Sequence, residues 1–207
     1  MKIAICIKQV PDSWAEKKMA AGVLDRANVD AVLNDLDEYA VEEALRIVEA
    51  NSPTKEAGEA SGHSITLISM GPERATEAIR KGLSMGADNA ILISDASLAG
   101  SDALATSLVL SEVIKKENYD LVICGTESTD ARMSVVPAMI AARLSWAQLT
   151  FAGKVKVDLA GSAVEIERVT EFGNQVMGAK FPVILSVVEK INEPRYPSFK
   201  GIMSAKK

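Results

Sequence analysis

Apolar and polar positions along this chain follow two alternating periods. Ile3–Ile7 is a short apolar run of strand type. Ala40, Val41, Ala44, Leu45, Ile47 and Val48 recur at helical spacing, with Asn34 or Asp35 placed to cap that helix. Ser64–Met70 is a second strand, and Gly71-Pro72 opens a helix over Glu73–Met85 with Ala75, Ile79 and Leu83 on its inner face. Gly86 suits the left-handed position that closes it. Ala90–Ile93 reads as a third strand. Ser101 or Asp102 caps a helix running to about Lys116, and Leu121–Cys124 is a fourth strand before a helix near Val135–Leu144. Strands alternating with helices predict an open parallel sheet with helices on both faces, joined by right-handed crossovers.

After Thr150 the pattern becomes strand-rich. Val155–Asp158 and Ala163–Val169 flank Leu159-Ala-Gly-Ser162, a hairpin signal, and Val176–Lys180 and Val183–Val188 follow. These are read as antiparallel strands added to one sheet edge near the C-terminus. The expected fold class is therefore α/β, as one domain over residues 1–190. Residues 191–207 are read as an extended appendage. Pro11–Asp30 and Asn51–His63 lack periodicity and read as loops, and Trp14 is read as a partly buried anchor of the first.

The fourth strand leads into the stretch richest in chemistry, Gly125-Thr-Glu-Ser-Thr-Asp130 followed by Ala131-Arg-Met-Ser-Val-Val-Pro137. Gly125 ends the strand, Ser134 is placed to cap the next helix, and Pro137 sits where a first turn tolerates a missing N–H. A strand emptying through hydroxyl-bearing residues into a helix start is a cradle for an anion, because free N–H groups and the positive helix end serve one ligand. The plainer reading is an ordinary strand-to-helix loop. Ligands of open α/β sheets sit beyond the strand carboxyl ends where the winding reverses. If the first strand lies beside the fourth, the loops starting at Cys6-Ile7-Lys8 and at Gly125 meet there.

Composition narrows the function. A net charge of −5 and only 4% aromatic residues argue against nucleic-acid partners. Cys6 and Cys124 each lie in an apolar run and read as buried thiols, without a disulfide framework or metal site. One histidine, His63, gives no basis for a histidine metal centre or a catalytic triad. No apolar run reaches the ~18 residues of a spanning helix. The opening Met1-Lys-Ile-Ala-Ile-Cys-Ile-Lys8 reads as a strand and not as a leader, which leads to the expectation of a cytoplasmic chain without membrane insertion.

Segments spread along the whole chain together resemble the electron transfer flavoprotein β-subunit family (EtfB/FixA). They are Ile5-Cys-Ile-Lys-Gln-Val10, Asn34-Asp-Leu-Asp-Glu-Tyr-Ala-Val-Glu-Glu-Ala-Leu45, Gly71-Pro-Glu-Arg-Ala-Thr-Glu-Ala-Ile-Arg80, Ser84-Met-Gly-Ala-Asp88, Asp120–Asp130, and Asn192-Glu-Pro-Arg-Tyr196 leading to Gly201-Ile-Met203. The last is the most specific. The resemblance implies an adenine-nucleotide α-hydrolase-like fold and an electron carrier with no catalytic residues or metal of its own. It also implies a structural AMP and a heterodimer with an α subunit carrying FAD. Electrons would pass from primary dehydrogenases, such as acyl-CoA dehydrogenases of fatty acid oxidation, toward a quinone-linked oxidoreductase.

Carried over by position, the family's nucleotide contacts fall on Cys6, on Asn34, Asp35, Leu36 and Asp37, and on Met70. They continue through Gly125, Thr126, Glu127, Ser128, Thr129, Asp130, Ala131, Arg132, Met133, Ser134, Val135 and Val136. Asn34 could offer its amide to base or ribose, Ser128, Thr129 and Ser134 could hold phosphate, and Asp130 would bind a ribose hydroxyl or orient the loop. The dehydrogenase-recognition loop falls on residues 191–207, with Tyr196, Phe199, Ile202 and Met203 as docking residues and Lys200, Lys206 and Lys207 making its tip basic. Pro194 and Pro197 would keep this segment extended. The family continues past this point as an arm around its partner.

Departures from the pattern carry information. Val136-Pro137-Ala138 stands where many members have Thr-Gly-Gln, and Glu167-Arg168-Val169 lacks the second acid of a Glu-Arg-Glu linked to docking of the flavin domain. The alternative is a β subunit of an electron-bifurcating flavoprotein with a second FAD in the AMP site. Ala131-Arg132-Met133 after the acid does not match the Gly-Asp-Thr type of that branch, which favours AMP. A universal-stress-type nucleotide sensor would show a late Gly-x-x-Gly triphosphate loop, and an ATP-pyrophosphatase a Ser-Gly-Gly. Neither is present.

Overall fold

The computed structural model describes residues 1–20, 22–52 and 62–206. Residues 53–61 of the Asn51–His63 loop reading, Ala21 and Lys207 lie outside the described residues.

The strands are β1 (Lys2–Cys6), β2 (Gln9–Pro11), β3 (Met19–Ala20), β4 (Val23–Leu24), β5 (Ala31–Leu33), β6 (Ser64–Met70), β7 (Asn89–Ile93), β8 (Leu121–Gly125), β9 (Ala147–Asp158), β10 (Ala163–Thr170), β11 (Gly173–Lys180) and β12 (Val183–Val187). The helices are α1 (Asp35–Asn51), α2 (Thr76–Met85), α3 (Ala103–Glu117), α4 (Val136–Leu144) and α5 (Phe199–Ser204). Eight strands form one sheet in the order β11-β10-β9-β12-β8-β1-β6-β7. The run from β9 to β7 is parallel, while β10 and β11 are antiparallel additions at one edge. The α/β class with an antiparallel extension is as the sequence pattern indicates.

Side-chain alternation sorts the core into two layers. Ile3 and Ile5 of β1 and Leu121 and Ile123 of β8 join Val41, Leu45 and Ile79 of α1 and α2 on one face. Ala4, Val122 and Cys124 join Ile114 of α3 and Ile140 of α4 on the other. Each fully buried isoleucine or leucine contributes roughly 1.5–3 kcal/mol. The chain winds outward from β1 through β6 to β7, then returns to lay β8 on the opposite side of β1. The winding therefore reverses between β1 and β8, and a crevice opens beyond their carboxyl ends.

Local signals hold at several points. The Asp102 carboxylate accepts the Ala105 N–H at 2.8 Å and caps α3. Gly86, at φ 133°, closes α2 in a conformation that a side chain would strain.

The structure corrects other readings. Val183–Val187 is not an antiparallel edge strand. It lies between β9 and β8, parallel to both. All five of its residues are buried, which only a central strand covered on both faces requires. β9 begins at Ala147, ahead of the expected Val155, because it pairs with β12 before it turns back along β10. Within Pro11–Asp30 and its flanks, β2 pairs with β5 and β3 with β4, so this loop carries its own short ladders. The helix expected from Glu73 starts with a 3-10 turn over Glu73–Ala75 before α2. The prolines at 194 and 197 keep their own stretch extended, but a short helix, α5, forms beyond them. It is capped where the Ser198 hydroxyl accepts the Gly201 N–H at 3.0 Å.

Candidate functional site

The expected nucleotide residues converge at the carboxyl ends of three neighbouring strands. Cys6 ends β1, Met70 ends β6, and Gly125 ends β8, while Asn34 precedes α1 and Asp35, Leu36 and Asp37 form its first turn. Cys6, Met70 and Val136 are partly buried apolar members of one cluster on the α3–α4 side. Cys6 is thus half-buried and not enclosed as the sequence suggests, because it stands at the rim where the sheet ends.

The loop from Gly125 to Val135 is held from beneath by Asn34, which is buried. Its Nδ2 donates to the Glu127 carbonyl at 2.9 Å and to Asp37 Oδ1 at 3.0 Å, and its Oδ1 accepts the Thr129 N–H at 3.0 Å. Asn34 occupies the cap position of α1 but makes no side-chain cap bond. Its amide is committed to loop geometry. Thr126 anchors the other side, where its N–H and hydroxyl both donate to the Val187 carbonyl.

Asp37 ties the three elements together. Its Oδ2 accepts the Lys8 N–H at 2.8 Å, and the Gly125 N–H also reaches the carboxylate. Burial pushes its pKa up to about 7, outweighing the donors from Asn34, Lys8 and Gly125. Gly125 leaves room for this packing: a Cβ there would stand 2.6 Å from Asp37 Oδ1 and 2.9 Å from the Leu36 carbonyl.

Asp130 is the loop's charged centre, its side chain 2% exposed. Lys8 Nζ reaches it at 2.8 Å, and Arg26 donates from Nε at 2.9 Å and Nη2 at 2.7 Å. Burial would raise its pKa, but Lys8, Arg26 and Ser128 together hold the carboxyl below the ordinary range. Two cations thus share the Asp130 carboxylate, and Glu127 contributes a further carboxylate to the same loop. Lys8 and Arg26 were not among the expected site residues. Lys8 follows the first strand, which is a usable signal, whereas Arg26 sits in an aperiodic stretch with none.

Ser134 does not cap α4. At φ 54° it turns its hydroxyl to Glu127 Oε2 at 3.1 Å, and the cap position passes to Val135 without a side-chain bond. Ala131 and Arg132 return their N–H groups to the Ser128 carbonyl, which closes a tight turn that leaves Met133 exposed. Among the described residues, no acceptor meets the N–H groups of Met133, Ser134, Val135 and Val136. Pro137 fills the first turn of α4, as expected.

The second expected site lies on the α1–α2 side. Asn192 donates to the Tyr39 carbonyl at 3.1 Å and to Glu43 Oε2 at 3.0 Å. Arg195 grips Glu42 at 2.7 Å and Glu49 at 2.6 Å. Burial works against the Glu42 carboxylate, but its bonds to Arg195 and then Arg46 keep it charged, its pKa below the usual range. The Asn192-Glu-Pro-Arg195 run is therefore a clamp onto α1. Beyond it Tyr196 is 94% and Phe199 81% exposed, and Ile202 and Met203 are partly exposed. Gly201 seats α5 on α2, since a Cβ there would run into the Ser84 carbonyl oxygen. Trp14 is 95% exposed and anchors nothing in this chain, contrary to its reading as a buried loop anchor. Among the described residues, no group of His, Cys, Asp and Glu could hold a metal ion, and no helix is long and apolar enough to cross a membrane.

The electron transfer flavoprotein domain matches residues 21–207. Electron transfer flavoprotein subunit beta of Mycobacterium tuberculosis is 49% identical over 208 residues, spanning 99% of this chain and 76% of that protein. The subunit of the same name from Megasphaera elsdenii is 39% identical over 216 residues, with 100% and 76% covered. Protein FixA of Azotobacter vinelandii is 37% identical over 212 residues, with 99% and 72% covered. The chain belongs to the electron transfer flavoprotein β-subunit family.

Proposed function

We propose that this chain binds one AMP in the crevice between β1 and β8, pairs with an FAD-carrying α subunit, and docks primary dehydrogenases through residues 191–207. Membership of the family makes it an electron-transfer subunit that works with an α partner. It is a carrier and not an enzyme in its own right.

The observation that carries the nucleotide reading is the preorganised loop. Asn34, Asp37 and Thr126 fix its backbone from three directions, so no ordering cost falls on ligand binding. The donor set fits the ligand. The N–H groups of Met133 to Val136 form a cluster of donors at the start of α4, and an anion satisfies such groups. Lys8 and Arg26 bring two cations to the loop, set against the carboxylates of Asp130 and Glu127. Cys6, Met70 and Val136 give the half-buried apolar surface that an adenine ring needs. AMP would serve as a structural wedge between the two loops.

The redox flavin belongs to the α subunit, and the exposed Trp14 is available to a partner-borne surface. Acyl-CoA dehydrogenases are the expected donors and a quinone-linked oxidoreductase the expected acceptor, in the cytoplasm. Titrating nucleotide-stripped heterodimer with AMP and with FAD tests the site. Saturable AMP binding, competed weakly by FAD, is expected. Tight binding of FAD in preference to AMP would overturn it in favour of a bifurcating subunit.

A further inference from the structure

Cys6 and Cys124 are partners in register on the adjacent parallel strands β1 and β8. Both belong to the cluster on the α3–α4 side, so their side chains leave the same face of the sheet. Both are free thiols. Neighbouring strands lie ~4.8 Å apart. That is inside the Cα separation of about 4.4–6.8 Å that a disulfide bridges. Cys6 is half-buried at the sheet's rim, whereas Cys124 is 5% exposed and one residue from the end of its strand. The proposed nucleotide site uses Cys6 only as apolar surface, and neither sulfur has a redox task there.

We infer that Cys6 and Cys124 form a peroxide-oxidisable dithiol that closes to an intramolecular disulfide. The asymmetry of the pair sets the order of events. The hydrogen bond to Cys6, then burial, pushes the Cys124 thiol well above the usual range, so Cys124 keeps its proton. Cys6, nearer solvent, attacks first. Its thiolate sulfur bonds to one oxygen of hydrogen peroxide, the O–O bond breaks, and hydroxide leaves, giving a sulfenic acid at Cys6. The Cys124 sulfur then bonds to the Cys6 sulfur as the S–O bond breaks. Its proton and the departing hydroxyl leave as water. Two thiols lose two protons and two electrons, and peroxide is reduced to two waters.

The heterodimer, stripped of nucleotide so that Cys6 is uncovered, is exposed to hydrogen peroxide, alkylated in denaturant and digested for peptide mapping. Oxidation of the exposed Met133 serves as the control for dose. The expected result is loss of free thiol at both positions, with the Cys6 and Cys124 peptides joined and separated again by dithiothreitol. In Cys124→Ala, dimedone captures a sulfenic acid at Cys6 that hardly accumulates in the wild type. Two alkylated thiols at a dose that oxidises Met133 would overturn the inference. So would Cys6 passing to sulfinic acid while Cys124 stays free. The wild-type linkage stands as a test by itself if the variant fails to fold.

Discussion

Asn34 Oδ1 accepts the backbone N–H of Thr129 at 3.0 Å across 95 residues of chain. With the bond from Asn34 Nδ2 to the Glu127 carbonyl, one buried amide copies the pairing of a backbone strand and fixes the loop's height above the sheet. An unpaired buried polar group costs about 1–3 kcal/mol. Asn34→Ala removes both loop bonds and is expected to lower stability by about 2–4 kcal/mol. It should also strip nucleotide from the purified heterodimer. Thermal melts and the absorbance of released nucleotide check both effects.

The Asp37 pair of loops carries a pH dependence of definite sign. The folded-state pKa, about 7, lies above the ordinary 3.8, so the folded chain binds more protons than the unfolded chain between these values. The contribution is fully present below the unfolded value and lost as pH rises through about 7. Its full span is about 4 kcal/mol. Urea unfolding of wild type and Asp37→Asn at pH 5 and pH 8 should show the wild type losing more stability on the rise than the variant. Parallel slopes would contradict it.

Arg195 is the keystone of the C-terminal clamp. Glu42 is buried, whereas Glu49 is exposed, so the Glu42 pair matters and the Glu49 pair adds little. Arg195→Ala leaves a buried carboxylate with only Arg46 beside it and is expected to cost about 3 kcal/mol. Limited proteolysis should then cut near residues 195–200 first, with AMP content unchanged. Arg195→Lys should recover only part of the loss, because an ammonium cannot reproduce the fork.

Phe199 is exposed on a helix seated by Gly201. Losing a central interface anchor costs ~2 kcal/mol or more, roughly thirtyfold in affinity. Phe199→Ala is expected to weaken electron transfer from the dehydrogenase while AMP, FAD and α-subunit pairing stay intact. Gly201→Ala should do the same by lifting α5 from α2. Stopped-flow flavin reduction at sub-saturating dehydrogenase measures both.

Elements whose cause is local were legible in the sequence. The apolar runs of β1 and β8, the Asp102 cap and the Gly86 stop each depend on neighbours a few residues away. Val183–Val187 was misplaced at an antiparallel edge, because an all-apolar run reports burial on both faces without naming the strands on either side. The residue types of the Gly125–Val135 loop were legible, but their partners within the fold were not. Arg26 lies 104 residues from Asp130 in a stretch without periodicity, and an ion pair of that separation leaves no local signature. Asn34 and Ser134 look like caps, yet tertiary partners outbid the helix ends for their side chains.

The nucleotide content of the co-purified heterodimer tests the central claim most directly. Denaturing the complex and identifying the released small molecules by mass should give one AMP and one FAD per heterodimer. Two FAD and no AMP would contradict the structural-nucleotide assignment and establish the crevice between β1 and β8 as a second flavin site.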